Sequence, residues 1–164
     1  MESRKIYDLD KARDVIRKFC AYQERSQKQV RDRLRKMGLI DDAVDLLISE
    51  VIQENYLNEE RFARAFVRGK HNIKGWGRKR LERELKHHEV SPYILKKAME
   101  EIDEEAYDGK LESLAQKKWD QTSEPNRFKK GKKVVDFLIR RGYESDAVWE
   151  IVHGFINQSS EHDE

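Results

Sequence analysis

The sequence predicts an all-α fold in which three tandem three-helix repeats stack into an elongated, curved body. Three observations support this prediction. Apolar residues recur with helical periodicity through most of the chain. Proline, the strongest helix breaker, occurs only at Pro92 and Pro125. A long segment also recurs three times without a gap, which is the pattern of a repeat protein.

The repeated segments cover residues 30–51, 81–102 and 134–155. Their apolar residues fall in register, at Leu34, Leu85 and Leu138, then Leu39, Val90 and Tyr143, then Leu47, Ala98 and Ile151. A further apolar stripe precedes each segment, so each repeat is predicted to contain two helices, a short turn and a third helix. Because one such unit buries little surface, neighbouring repeats should pack on one another.

These stripes also predict where the chain divides. We expect an N-terminal extension over residues 1–9, three-helix repeats over 10–55, 56–103 and 104–157, and a disordered tail over 158–164. The boundaries fall where the third stripe of one repeat ends and the first stripe of the next begins.

Residues that start and stop helices support these boundaries. Ser26, followed three residues later by glutamine, forms a capping-box pattern. Gly38 and Gly142 are placed to end helices in the left-handed conformation, which glycine adopts easily. Predicted N-caps precede the later helices, at Asp41, Asn58, Ser91 and Ser145. The second repeat has Glu89 where the others have glycine, so this helix end must be built differently or be strained.

Composition limits the classes of protein that the chain fits. Only 37% of residues are hydrophobic and 40% are charged, with a mean hydropathy of −0.97, which suits slender helices that each bury one stripe. No apolar run reaches the ~18 residues of a membrane span. The single cysteine, Cys20, excludes an intramolecular disulfide and fits a reducing compartment. We therefore expect a cytoplasmic protein that does not enter the membrane, in which Cys20 is buried and unreactive.

The charges are arranged in blocks, although the net charge is only +2. Residues 41–60 contain seven acids and no Lys or Arg, whereas residues 61–88 contain ten Lys and Arg against two acids. Residues 127–141 hold seven basic residues and one acid. Because the second helix of each repeat is basic and the third leans acidic, we expect the two charges on different faces of the protein.

The segment KGWGRKR, at residues 74–80, is the strongest candidate binding site. Its glycines permit close backbone approach, and the helix that follows offers N–H groups to an anion. Trp76 is a candidate to stack on a base or to fill a pocket of a partner. The alternative is that Gly75 and Gly77 only shape the turn and that Trp76 folds back on the chain.

Basic side chains complete the candidate contact residues, which are Arg61, Trp76, Arg78, Lys79, Arg80, Lys129, Lys130 and Lys133. The three lysines near residue 130 are candidates to bind phosphates or an acidic partner, with plain solvation as the alternative. For Arg61 the alternative is an ion pair with an acid of its own repeat. The aromatic residues on apolar stripes are predicted to be core: Phe62, Phe66, Trp119 and Trp149.

No catalytic or metal-binding pattern stands out in the sequence. His71, His87 and His88 do not have the spacing of a standard zinc site. No Ser/His/Asp, Cys/His or paired-carboxylate constellation is apparent among the 32 acids. We therefore predict a protein without enzymatic activity, cofactor, metal or small-molecule substrate.

The second repeat contains a motif that resembles the RecX family. Residues 56–90 pair YLNEERFARAFV with a Gly-x-Gly-basic stretch that opens the next helix. The matching residues are Tyr56, Leu57, Asn58, Glu59, Arg61, Phe62, Ala63, Phe66, Val67, Gly75, Gly77, Arg80, Leu81 and Leu85. The segment YQERSQKQVRDRLRKMG is similar to the family's first repeat and LAQKKW to its third. The resemblance covers about residues 10–155, with departures at Gln29 and Glu89.

The resemblance implies a regulator that binds the RecA recombinase filament on DNA and limits its assembly or activity, in homologous recombination, DNA repair and the SOS response. RecA is then the expected partner, and single- or double-stranded DNA a weaker one. Two alternatives stay open. A helical-repeat module that binds DNA or RNA without RecA would bind nucleic acid tightly and with steep salt dependence, although the near-neutral charge and acidic third helices disfavour it. A repeat adaptor for an unrelated protein would show neither affinity.

Overall fold

The computed structural model describes residues 8–158, and this part of the chain consists of nine α-helices without a β-strand. The helices are α1 (Leu9–Tyr22), α2 (Gln27–Lys36), α3 (Asp41–Gln53), α4 (Glu59–Asn72), α5 (Arg78–His87), α6 (Pro92–Met99), α7 (Glu104–Gln121), α8 (Arg127–Arg140) and α9 (Ser145–Gln158). The predicted all-α fold is confirmed. Most of the predicted N-terminal extension and C-terminal tail lies outside the described residues, and the repeat boundaries stay a prediction.

The helices group into two compact units. Unit 1 contains the described residues up to Phe66 together with Leu85–Ala98. Unit 2 contains Val67–Glu84 together with the described residues from Met99 onward. Each unit therefore includes part of the second predicted repeat, because α4 and α5 contribute residues to both.

The core of unit 1 is formed by the apolar faces of α1, α2 and α3. Ile16, Leu34 and Leu47 are fully buried there. Cys20 belongs to the same core, and burial raises the pKa of its thiol to about 11. Because only the thiolate is a strong nucleophile, this cysteine is unreactive, as expected. Phe62 is buried in unit 1, so its prediction as a core residue is also confirmed.

The core of unit 2 is formed by α7, α8 and α9. Its fully buried side chains include Leu111, Leu138, Tyr107 and Tyr143. Trp119 and Trp149 pack against this core and remain partly exposed. The prediction that these tryptophans are core residues is therefore confirmed only in part.

The helix ends follow most of the predicted caps. Ser26 forms the capping box, since its hydroxyl accepts from the amide three residues later and its own amide donates to that residue's side chain. Asn58 and Ser91 likewise accept from amides three residues later, at 2.9 and 3.3 Å. The N-cap predictions for Asp41 and Ser145 are wrong, because each is the first residue inside its helix.

Left-handed residues end the second helix of every predicted repeat. Gly38 and Gly142 have φ angles of 84° and 99°, as predicted. Glu89 has a φ of 60°, so the second repeat keeps the same backbone without glycine and is strained there. The Glu89 carboxylate lies 3.5 Å from the Arg31 guanidinium, but both groups are solvated, and such a pair offsets little strain.

We expect glycine at position 89 to stabilise the protein, since a left-handed backbone costs an L-residue about 1–2 kcal/mol that glycine avoids. Glu89→Gly should raise the free energy of unfolding by about 1 kcal/mol, measured by urea denaturation with far-UV circular dichroism. Glu89→Ala is the control, because it removes the same ion pair and keeps the strain. Equal stability of the two variants would contradict this account.

Candidate functional site

The candidate segment, residues 74–80, lies in unit 2, and it divides between the α4–α5 loop (residues 73–77) and the first turn of α5. The loop is closed by its own backbone. The amides of Gly75 and Trp76 donate to the carbonyls of His71 and Lys70, each at 3.1 Å, and Gly75 has a φ of 69°. The buried His71 ring donates from Nδ1 to the Trp76 carbonyl oxygen at 2.9 Å. The loop is therefore a fixed turn, and Gly75 shapes it.

Trp76 packs against two cations. The Arg80 guanidinium lies 4.0 Å from the centre of the Trp76 ring system, and Lys70 Nζ lies 5.1 Å from it. Both distances fall within the range of cation–π contacts. Arg80 Nε is buried and has no hydrogen-bond acceptor among the described residues. Trp76 thus folds back on the chain, which is the alternative raised from the sequence, and it holds Arg80 in place.

The amide groups at the start of α5 already have acceptors inside unit 2. The amides of Gly77 and Lys79 donate to the carbonyls of the 141–142 turn at 2.7 and 2.9 Å. The Arg78 amide donates to the Tyr107 hydroxyl at 3.1 Å. These three amides are therefore not free to bind an anion, contrary to what was expected of this helix N-terminus. The acceptors lie far along the chain from the loop, so the local sequence did not reveal them.

The backbones of Gly77 and Gly142 lie in very close contact. This is the kind of close approach that the glycines of this segment were predicted to permit. A Cβ on Gly77 would overlap the Gly142 carbonyl group and the amide of the next residue. A Cβ on Gly142 would overlap the backbone and Cβ of Arg80. Because these obstacles are backbone atoms rather than flexible side-chain ends, the contact requires glycine on both sides. The approach is to another segment of the chain, not to a ligand.

Arg78 and Tyr107 join the start of α5 to α7 and to the turn after α8. The Arg78 guanidinium lies 4.0 Å from the centre of the Tyr107 ring and pairs with Glu104 and Glu144. The Tyr107 hydroxyl donates to Glu144 at 2.8 Å, and burial raises the pKa of Tyr107 above its usual value. Tyr107 therefore stays a hydrogen-bond donor at neutral pH. Arg78 is a positioning residue within this network.

Lys79 differs from its neighbours, because its side chain is exposed and has no ion pair or hydrogen bond with any described residue. Lys74 is exposed in the same way, and its carbonyl oxygen accepts from the Arg141 guanidinium. We call the basic residues that surround residues 74–80 the α5 basic cluster; with Trp76 it comprises Lys70, Lys74, Lys79, Arg80 and Arg141. Sequence reasoning missed Lys70 and Arg141, although both lie in the basic blocks.

The lysines at the start of α8 form a second, separate group, which we call the α8 lysines: Lys129, Lys130 and Lys133. Lys129 is exposed and makes no side-chain hydrogen bond or close ion pair with a described residue, although its charge contributes to lowering the pKa of Glu124. Lys130 Nζ lies 4.4 Å from the centre of the Trp119 ring system, and Lys133 Nζ lies 3.3 Å from the Glu124 carboxylate. At a rise of about 1.5 Å per residue, roughly 15 Å of helix separates this group from the end of α8, where the 141–142 turn meets α5.

Arg61 has its donors occupied within unit 1. Its guanidinium donates to Glu24 at 2.6 Å, to the Asn55 side chain at 3.1 Å, and to the carbonyls of Asn55 and Tyr56 at 3.0 and 3.2 Å. Asn55 has a φ of 63°, so Arg61 supports a left-handed turn between α3 and α4. The structure thus shows an ion pair for Arg61, but its partner Glu24 lies in the predicted first repeat and not in the repeat of Arg61 itself. The eight candidate contacts fall into three places: Arg61, the start of α5 and the start of α8.

The histidines have structural surroundings. His71 stacks on Tyr107 with ring centres 5.3 Å apart, and His88 Nδ1 lies 3.1 Å from the Ser26 hydroxyl. Among the described residues, no group of three or more His, Cys, Asp or Glu side chains is placed to hold a metal ion. Within the same range, no helix combines the length and the apolar character needed to span a membrane.

The structure is that of an all-α protein in which basic side chains extend from a fixed backbone. Two sequence models of the RecX family match the chain. The model of the second three-helix domain matches residues 58–99, and that of the third matches residues 105–152. Together they cover more than half of the sequence. The chain belongs to the RecX family.

Relatives and a solved structure agree with this assignment. A Streptomyces lividans protein named "Regulatory protein RecX" is 24% identical over 153 residues, which cover 93% of this chain and 81% of the relative. One of the same name from Oceanobacillus iheyensis is 26% identical over 88% of this chain, which spans only 53% of that longer relative. The crystal structure of RecX from Lactobacillus salivarius has the same fold, with a TM-score of 0.77 and 23% identity over 89% of this chain and 95% of that one.

We expect alanine at position 77 to disrupt the start of α5, because the added Cβ meets backbone atoms. Gly77→Ala should lower the free energy of unfolding by about 1–3 kcal/mol, measured by urea denaturation. Gly69→Ala is the matched control, since a Cβ on this helical glycine meets nothing within 4 Å and alanine favours helix by about 1 kcal/mol. A Gly77→Ala variant as stable as the Gly69→Ala variant would refute the contact.

Proposed function

We propose that this chain regulates RecA recombinase by binding the RecA–DNA filament and limiting its assembly or activity in recombination, DNA repair and the SOS response. Membership in the RecX family is the observation that carries this proposal. The relatives are named as regulatory proteins, which agrees with a role in regulation rather than catalysis. Cytoplasmic location is part of the same proposal, since RecA acts on chromosomal DNA.

The α5 basic cluster is the surface that we assign to the filament. Its backbone is fixed by the contact of Gly77 with Gly142, so binding costs little backbone conformational freedom. Exposed lysines on a fixed backbone complement either the phosphates of DNA or acidic groups of RecA. Lys129 lies in the separate group at the start of α8, and as an exposed lysine it offers the same charge complementarity there.

The eight candidate residues have unequal parts in this proposal. Lys79 and Lys129 are exposed and lack described side-chain partners, so we assign them direct contact. Arg80 and Trp76 contribute through the stack that they form. Arg61 and Arg78 act indirectly, because their guanidinium groups hold the fold. Lys130 and Lys133 remain secondary contacts, since each already has an intramolecular neighbour.

The direct test is the ATPase activity of RecA on single-stranded DNA, titrated with this protein. The protein should inhibit at well below one molecule per RecA, because a regulator of filament growth acts without saturating the filament. Lys79→Glu combined with Lys129→Glu should raise the concentration for half-inhibition at least about tenfold, which corresponds to about 1.4 kcal/mol of lost interaction. Both side chains are exposed, so the variant should remain folded, as circular dichroism will verify.

The control combines Lys11→Glu with Lys18→Glu on α1, where both side chains are exposed. This variant has the same net charge as the first and should inhibit like the parent protein. If both variants lost inhibition equally, the assigned surface would be rejected, and the effect would be due to the net charge of the protein. No inhibition by the parent protein, together with salt-sensitive binding to DNA alone, would reject RecA regulation in favour of a nucleic-acid-binding module.

A further inference from the structure

A groove of about 780 Å³ runs between α7 and α9 in unit 2. Its floor is apolar and includes Leu111, Ile151 and Phe155. Its rim carries Asp108 and Glu112 from α7 and Glu150 from α9, and no Lys, Arg or His lines it. The groove is distinct from the α5 basic cluster in both its residues and its charge.

The groove has the dimensions of a helix-binding site. Its lining on α7 spans positions 108–116, and its lining on α9 spans positions 147–155. Each stretch covers just over two helical turns, so the groove is about 12 Å long. An amphipathic helix that lies in such a groove places side chains at i, i+3 or i+4, and i+7 on the floor.

The negative charge of the rim determines which kind of helix can bind in the groove. None of the three carboxylates has an ion pair or hydrogen bond with a described residue. The rim is negatively charged and the floor is apolar. A helix with basic residues beside its apolar stripe is therefore favoured, and an acidic helix is repelled. Charge complementarity therefore identifies a cationic amphipathic occupant.

Two glycines supply a second, independent observation. Gly109 on α7 and Gly154 on α9 lie inside helices, one on each wall of the groove. A Cβ on either would meet nothing within 4 Å, so neither glycine is required by the packing of this chain. Glycine is a poor helix former, and its presence on both walls leaves room for a partner to approach closely.

We propose that the α7–α9 groove is a docking site for an amphipathic helix of a protein partner, whose apolar stripe is flanked by Lys and Arg. This inference goes beyond the proposed binding of the filament through basic residues, and it does not depend on it. The ATPase titration tests the basic surface, whereas peptide binding tests the groove, so the two proposals fail separately.

The first test uses designed peptides of about 15 residues, long enough to form a helix when bound. One carries leucines at helical spacing with flanking lysines, a second has glutamates in place of the lysines, and a third is a scramble of the first.

Titrations followed by amide NMR shifts should show saturable binding of the first peptide, with changes centred on Gly109 and Gly154. The scramble should bind at least tenfold more weakly and the acidic peptide not at all. Equal binding of peptide and scramble would overturn the proposal.

Variants of the groove complete the test. Glu112→Lys combined with Glu150→Lys should weaken binding of the lysine-flanked peptide at least tenfold, whereas Asp14→Lys combined with Asp45→Lys, on exposed positions of unit 1, should leave it unchanged. Gly109→Gln with Gly154→Gln should fill the groove and reduce binding by a similar factor while the fold is kept. Gly69→Gln is its control, since this glycine also has open space and lies outside the groove.

Two results would reject the partner helix directly. One is full peptide binding by the Gly109→Gln, Gly154→Gln variant after its fold has been verified by circular dichroism. The other is concentration-dependent dimerisation in sedimentation experiments that the same variant abolishes, since the groove would then be occupied by a second copy of this chain.

Discussion

The contact between Gly77 and Gly142 is the constraint on which the rest of the candidate surface depends. Two backbone segments from distant parts of the sequence approach so closely that neither accepts a Cβ, and two amides of one donate to carbonyls of the other. The contact fixes the direction in which α5 begins. Trp76 and Arg80 then stack, and Lys79 is left exposed at a defined place. A stretch that looks like a flexible glycine loop is a rigid junction.

The fold class could be predicted from the sequence because its main causes are local. Apolar periodicity, near-absence of proline and the Ser26 capping box each act within a few residues, and all three are reflected in the helices. Glu89 occupies the position where the other two repeats have a left-handed glycine. Its backbone adopts the same left-handed conformation although the residue is not glycine. The errors at Asp41 and Ser145 are displacements of a helix start by one residue.

The candidate site was harder to predict because its geometry depends on distant contacts. The glycines around Trp76 were singled out as part of a binding site, but Gly77 packs against the 141–142 turn, which no local pattern identifies. An ion pair was raised as an alternative for Arg61, but the sequence did not identify Glu24 as its partner, and it gave no sign that Arg78 pairs with Glu104. The groove between α7 and α9 was missed altogether, since its acids are scattered among many others and only the fold brings them to one rim.

Amide hydrogen exchange at Gly77 and Lys79 measures whether the contact between α5 and the 141–142 turn is rigid. If the junction is rigid, these two amides should exchange as slowly as those of the buried α8 residues Val135 and Leu138, because opening them requires unit 2 to unfold. Exchange at the rate of an open surface loop would contradict this account, and the α5 basic cluster would then lack the fixed backbone on which its assignment rests.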